Sequence, residues 1–384
     1  MTTMTKKELI KATKSRYLKS SKIEKGKILD EFCANARYTR KYAITILQAG
    51  YDNNHVAREG RKKRKRKYSP RTYAVVMKLW TLLEYPCGVR LKPQLVPLLE
   101  ALERWREIST TTEVKKQLQQ ISARTLDRRL KKEREIRKLN RNRGTTRHGS
   151  LLKSSIPIRI TSFDTHQLGF VEMDTVAHNG GDQSGECLYS LDVVEIYSGW
   201  SEQRAVLGKG EKGIVAALDD MKATMPFHVR GMDSDSGSEF INWHLVRYCD
   251  THKIFFTRSR PDRKNDNAYV EQKNYTHIRT WFGYGRFDNK EQMNAFNDLY
   301  QNELRLFNNF FRPVMKITSK EKVNNSVCKK KYDVAQTPYQ RLIASRQISQ
   351  KVKQELTRKY LTLNPIKLKK TIDQKMKKIR KTCS

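Results

Sequence analysis

Residues 169–307 switch repeatedly between two apolar periods, and the order of those switches constrains the fold more than any other feature of the chain. GFVEMDT (169–175), LYSLDVVEI (188–196) and WSEQRAVL (200–207) read as three short strands. The last two are joined by Tyr197-Ser198-Gly199, a turn of hairpin length that contains glycine. EKGIVAALDDMKATM (211–225) reads as a helix with Ile214, Leu218 and Met221 on one face. FHVRGMD (227–233) is a strand, EFINWHLVRYCDTH (239–252) a helix and KIFFTRS (253–259) a strand. NAYVEQKNYTHIRTWF (267–282) and residues 288–307 are helices. An antiparallel start followed by alternating units predicts an α/β core, a mixed five-stranded sheet with flanking helices over 169–310.

Charge divides the chain in the same places. Lys+Arg minus Asp+Glu is +26 over 1–170, −5 over 171–310 and +17 over 311–384, which together make the net +38. Two basic arms around a mildly acidic centre suggest arms that grip a polyanion, nucleic acid first, while the centre does something else, and hard cations prefer carboxylate oxygen. No apolar run approaches the ~18 residues of a spanning helix, and MTTMTKKELIKATKSRY has no apolar signal region. A cytoplasmic, nucleoid-associated protein with no membrane partner is expected. The six cysteines lie apart, with no CxxC pair, which suits reduced thiols.

The N-terminal arm, 1–59, is expected to be all-α. Ile28, Leu29 and Phe32 mark one helix. A break at Ala34-Asn35-Ala36 leads into a second, carrying Arg37, Arg40 and Lys41. A bracing helix followed by a basic one is helix-turn-helix logic. GRKKRKRK (60–67) opens a basic linker, 60–70. The pattern repeats in a second helical region, 71–137, where Ser122 is the expected N-cap of a helix bearing Arg124, Arg128, Arg129 and Lys131. Residues 138–168 read as a linker, and 311–384 as a small basic C-terminal region with short helices.

Three acids fall where strand ends and helix starts can meet. Asp174 lies at the end of the first strand, Asp235 follows the fourth, and Glu271 opens the helix 267–282. In MDSDSGSEF (232–240), Gly237 lets the chain leave the strand sharply after Asp235. Carboxylates that converge repel unless cations neutralise them. Two Mg²⁺ (or Mn²⁺) ions, each keeping sites for phosphate and water, would do so. Asp233, two residues before Asp235, points the same way and stays an alternative ligand. Asp192, mid-strand, is either a carboxylate behind the site or a solvated or hydrogen-bonded side chain. Glu172 is expected to face away. His178, His244 and His277 are read as structural. Lys273 and Arg279 are candidates for phosphate contact, and Asn274, on the face of Glu271, for substrate contact or for orienting that acid.

With 35 residues between Asp235 and Glu271, the sequence resembles the DDE transposases and retroviral-type integrases, and most of all the integrase-like transposases of bacterial insertion sequences. The resemblance rests on VEMDT (171–175), DSGSEF (235–240) and NAYVEQKN (267–274). Ser236 stands where that family commonly has Asn, and no N-terminal His/Cys zinc module is present. The resemblance implies an RNase H-like core with Asp174, Asp235 and Glu271 as catalytic metal ligands. It implies double-stranded DNA as partner, both element ends and target, joined on a homodimer or larger assembly. Two readings stand beside it: a transposase-derived DNA-binding regulator that no longer cuts, and an RNase H-fold nuclease.

Overall fold

The computed structural model describes residues 3–49, 67–137, 166–182, 184–234, 243–258, 270, 273–324 and 327–383. Most of the linkers 60–70 and 138–168, together with Asp235, Gly237 and Glu271, lie outside the described residues. The chain forms two compact units, Met1–Lys67 and Tyr68–Ser384.

Among the described residues the first unit has three helices: α1 (Thr3–Lys19), α2 (Lys22–Ala36) and α3 (Arg40–Ala49). Ile10 and Tyr17 of α1 close a core with Ile28, Leu29, Phe32, Ala36, Ala43 and Leu47. The break falls at 37–39 rather than at the expected 34–36. Ala36 is fully buried and still helical. Arg37 then turns into the left-handed region (φ 54°) and its N–H bonds the Cys33 carbonyl, which ends α2.

The second unit begins with α4 (Pro70–Leu82), α5 (Gly88–Arg104), α6 (Thr112–Gln120) and α7 (Ala123–Ile136). Only Ile121 and Ser122 separate the last two. Ser122 caps α7 as expected, its hydroxyl accepting from Thr125 N.

The sheet follows: β1 (Phe170–His178), β2 (Leu188–Glu195), β3 (Ser201–Leu207), β4 (Gly231–Ser234) and β5 (Phe255–Arg258), in spatial order β3-β2-β1-β4-β5. β1 and β2, and β2 and β3, are antiparallel, whereas β4 runs parallel to both β1 and β5. The sheet is mixed and five-stranded, as the order of periods predicts. The β2–β3 turn is held from inside. The buried carboxylate of Glu195 accepts from Tyr197 N (2.9 Å) and Ser198 N (2.6 Å), and Gly199 supplies the positive φ (+77°).

Helices cover both faces. α8 (Glu211–Thr224) and α9 (Trp243–Thr251) close one face over Val171, Met173, Leu191, Val193 and Met232. On the other face lies α10, π-helical over Asn274–Arg279 and α-helical over Thr280–Phe282. Beside it runs α11, which comprises Lys290–Leu299, a π-helical Tyr300–Leu304 and Arg305–Phe310. Phe282, Phe296, Tyr300 and Leu304 bury Val176, Leu188 and Ala205 there.

The C-terminal region adds an antiparallel hairpin, β6 (Ile317–Asn324) and β7 (Val327–Tyr332), then α12 (Pro338–Ala344), α13 (Gln350–Thr362) and α14 (Pro365–Lys381). Ile372, Met376 and Ile379 of α14 join one hydrophobic core with α4, α5 and α11. Polar ties cross the same seam: Trp105 Nε1 donates to Leu363 O (2.9 Å), and Lys369 pairs with Glu84 (2.8 Å).

His178 gives this core a pH signature. It is fully buried among Phe282, Phe287 and Phe296, its Nε2 bonded to Ser190 Oγ (2.8 Å). Burial, aided by the charge of Arg279, pushes its pKa from 6.5 down to about 3. Because the folded pKa lies below the unfolded one, the stability it contributes is present above pH 6.5 and is lost as pH falls towards 3. In urea unfolding at pH 7 and pH 4.5, His178→Gln is expected to lose less stability on acidification than the wild type. Equal losses in the two proteins would remove His178 as a source of that slope.

Candidate active site

Alternate residues of a strand share a face, and residues paired across strands share it too. On the α10 side of the sheet this rule assembles a polar stripe from all five strands. Asp174 pairs with Asp192 and Asp192 with Gln203. Glu172 pairs with Asp233 and Asp233 with Thr257. Glu172 therefore shares the face of Asp174, contrary to the expectation that it points away, as the two-residue spacing requires. Glu172, Asp192, Gln203 and Asp233 are buried, while Asp174 is partly buried. Thr257 Oγ1 donates to Asp233 Oδ1 (2.5 Å).

The chain on either side of residues 271–272 is fastened to this stripe. Before them, Val270 N donates to Glu172 Oε2 (3.2 Å). After them, Asn274 Nδ2 donates to Asp174 Oδ2 (2.5 Å). Asp174 Oδ1 accepts from Thr175 N (2.7 Å). The amide oxygen Oδ1 of Asn274 is buried and has no hydrogen-bond partner among the described residues.

Lys273 is turned inward. Its Nζ lies 3.3 Å from His277 Nε2, and His277 Nδ1 lies 3.2 Å from Gln203 Nε2. Gln203 Nε2 also donates to Asp192 Oδ1 (2.8 Å). Burial pushes Asp192 up to about 7. Burial, with the charges of Arg312 and Arg90, brings Lys273 down to about 7 against the pull of Asp192. His277 is held well below 6.5 by burial and by Lys273, so the imidazole is neutral. Asp192 Oδ2 and Gln203 Oε1 have no partner among the described residues.

Among the described residues, no group of three His, Cys, Asp or Glu side chains is placed to hold a metal ion. The donors that are described fit a hard cation. Asp174 is a partly exposed carboxylate, and Asn274, which donates to it, has a carbonyl oxygen with no partner among the described residues. Ser234, the last residue of β4, pairs with Met173 of β1, and Asp235 follows it in sequence. Glu271 follows Val270. Both acids lie outside the described residues.

The remaining candidates divide by position. Arg37, Arg40 and Lys41 are exposed on the first unit, with Arg40 paired to Asp30. Arg124, Arg128 and Arg129 are exposed on α7. Arg279 is partly buried and committed to the Ala177 and Gly283 carbonyls (2.9 and 3.2 Å). The sequence reading did not single out Gln203, or Glu172 as a tether. Period-two spacing alone could have found Glu172.

Fold and site together define a class: a mixed five-stranded α/β sheet with an acidic stripe on its helix-covered face, joined to helical units rich in exposed arginine. The chain belongs to the family of "Uncharacterized protein y4rM" of Sinorhizobium fredii (strain NBRC 101917 / NGR234), with which it is 36% identical over 329 residues, 85% of this chain and 92% of that protein. No family model matches. Among solved structures, the catalytic core domain of BIV integrase overlays on 45% of this chain and 91% of its own, with a TM-score of 0.28 and 14% identity. Among the described residues, no helix is long and apolar enough to cross a membrane.

Proposed function

We propose that the chain is a DDE-type transposase, cutting DNA at element ends and joining the freed 3′-hydroxyls to target DNA. The observation that carries this reading is the double fastening around Glu271. Val270 and Asn274 bond Glu172 and Asp174, two neighbours on one face of the central strand β1. The strand order supports reading the sheet as an RNase H-like core.

In this reading Asp174, Asp235 and Glu271 hold two Mg²⁺ (or Mn²⁺) ions. When bound, these supply activation of the attacking oxygen and neutralise charge developing on the phosphoryl group. The protein's part is positioning. Asn274 fixes the rotamer of Asp174 by donating to its Oδ2, and Thr175 N takes the other oxygen. Catalysis of this kind depends on groups aimed before the reaction begins. Arg37, Arg40 and Lys41 on the first unit, and Arg124, Arg128 and Arg129 on α7, serve as phosphate and groove contacts. Their helices act as helix-turn-helix modules on a protein that works as a dimer or larger assembly. Lys273 and Arg279, being turned inward, act on the site rather than on DNA phosphates.

The test uses full-length protein, labelled duplexes from the DNA on both sides of its coding region, and supercoiled plasmid as target, in Mg²⁺ or Mn²⁺. Nicking that leaves 3′-hydroxyls, followed by joint molecules, is the expected result. Cleavage without joining assigns a nuclease instead. Tight binding with no cleavage in either metal assigns a regulator.

A further inference from the structure

Asn274 is fastened to Asp174 by a single hydrogen bond, and Arg279, at the far end of the π-helical segment, adds one to the Ala177 carbonyl of β1 (2.9 Å). A further attachment is made between these two by His277, one turn beyond Asn274. It runs from Lys273 through His277 and Gln203 to Asp192, with separations of 3.3, 3.2 and 2.8 Å. The chain of contacts crosses three elements, α10, β3 and β2, and every member is buried. Asp192 is also the cross-strand partner of Asp174. The ties of Asn274 and of His277 therefore end on paired residues of adjacent strands.

Stability alone gives a poor account of this arrangement. Buried charged groups cost desolvation, and apolar side chains of similar volume are often as stable or more so. Here a carboxylate and an amine are buried on one sheet face without touching, and Asp192 Oδ2 and Gln203 Oε1 have no partners among the described residues. What the network supplies is a fixed placement. α10 opens with a π-helical segment, whose wider turn departs from regular geometry and needs support. Arg312 Nη1, donating to Thr276 O (2.7 Å), braces the same segment.

We propose that Asp192 is a positioning residue for the candidate metal site: through Gln203 and His277 it holds Lys273, and so fixes the start of α10 over Asp174. This rests on the metal-site reading given under the proposed function. Groups that orient metal ligands from behind typically contribute about 10–100-fold in metal affinity or activity.

The experiment is Mn²⁺ binding by calorimetry on the full-length protein without DNA, with thermal unfolding measured in parallel. Wild type is expected to bind Mn²⁺ and Asp174→Asn to lose it. Asp192→Asn and Gln203→Met are each expected to weaken binding by about tenfold. Gln203→Met keeps both buried charged groups and cuts only the link between them, so it decides the matter if Asp192→Asn does not fold. Variants that unfold at lower temperature yet bind Mn²⁺ within about twofold of wild type overturn the proposal and leave the metal site standing. A wild type that binds no Mn²⁺ overturns the metal-site reading, and this inference falls with it.

Discussion

Asp174→Asn is expected to lower metal-dependent DNA cleavage by at least about a hundredfold while leaving DNA binding and thermal stability near wild type. The substitution keeps the shape of the side chain and removes its charge. Asp174 sits on β1, the central strand, and is half-buried, so no buried charge is orphaned by the change. The basic residues proposed to bind DNA lie on other helices. Asp182→Asn is the matched control, an exposed loop carboxylate bonded to Ser184. Cleavage that survives Asp174→Asn would mean the reaction is not centred on this face of the sheet. Glu271→Gln should match Asp174→Asn, since the two acids are proposed to share the metal ions.

The second large effect is on stability. Phe296→Ala should cost the 68–384 unit about 3–5 kcal/mol, against a typical total of about 5–15 kcal/mol. The ring is fully buried and stacks on Phe282, the last residue of α10, with centroids 3.9 Å apart. It also meets Phe287 and His178 edge-on at 5.0 Å. Removing it leaves a cavity walled by aromatic rings that cannot collapse without moving α10. Phe296→Leu, which fills most of that volume, should cost about 1 kcal/mol. Denaturant unfolding of both variants checks the ordering. A cost for alanine no larger than that for leucine would show that the ring is not packed as described.

The two effects meet at α10. Its C-terminal end is held by aromatic packing and its N-terminal end by hydrogen bonds to carboxylates. Phe296→Ala should therefore also slow cleavage at temperatures where the protein is still folded.

Legibility in the sequence followed the range of the forces involved. All five strands could be read because their period is local and each has an apolar face. Ser122 as a helix cap was equally local. The first helix, Thr3–Lys19, was not read, because Leu9, Ile10 and Tyr17 reach its core from amid lysines and make too short a stripe. The hairpin β6–β7 was missed for a similar reason: ITSKEKVN and VCKKKY have too little apolar alternation. Ile372, Met376 and Ile379 trace a clean stripe on α14, but nothing in the stripe says that its partner is α4, nearly three hundred residues earlier. Asp174 could be singled out by its neighbours in sequence, but it sits in the middle of β1 rather than at its expected end, because the strand runs on to His178. Lys273 could not be placed, because a lysine is ordinarily a surface residue. Its burial depends on Asp192 and Gln203, two strands away, and register across a sheet is not written in any one segment.

The seam between α4–α5 and the C-terminal helices bears on how the protein is made. Trp105 and Glu84 emerge from the ribosome long before Leu363 and Lys369 exist to meet them. At ordinary elongation rates of about 5–20 residues per second, that wait lasts on the order of 13–60 seconds. During it the apolar faces of α4 and α5 are only partly covered. A nascent chain of this kind is a natural client for chaperones, and a truncation that removes α14 would leave the same faces open for good.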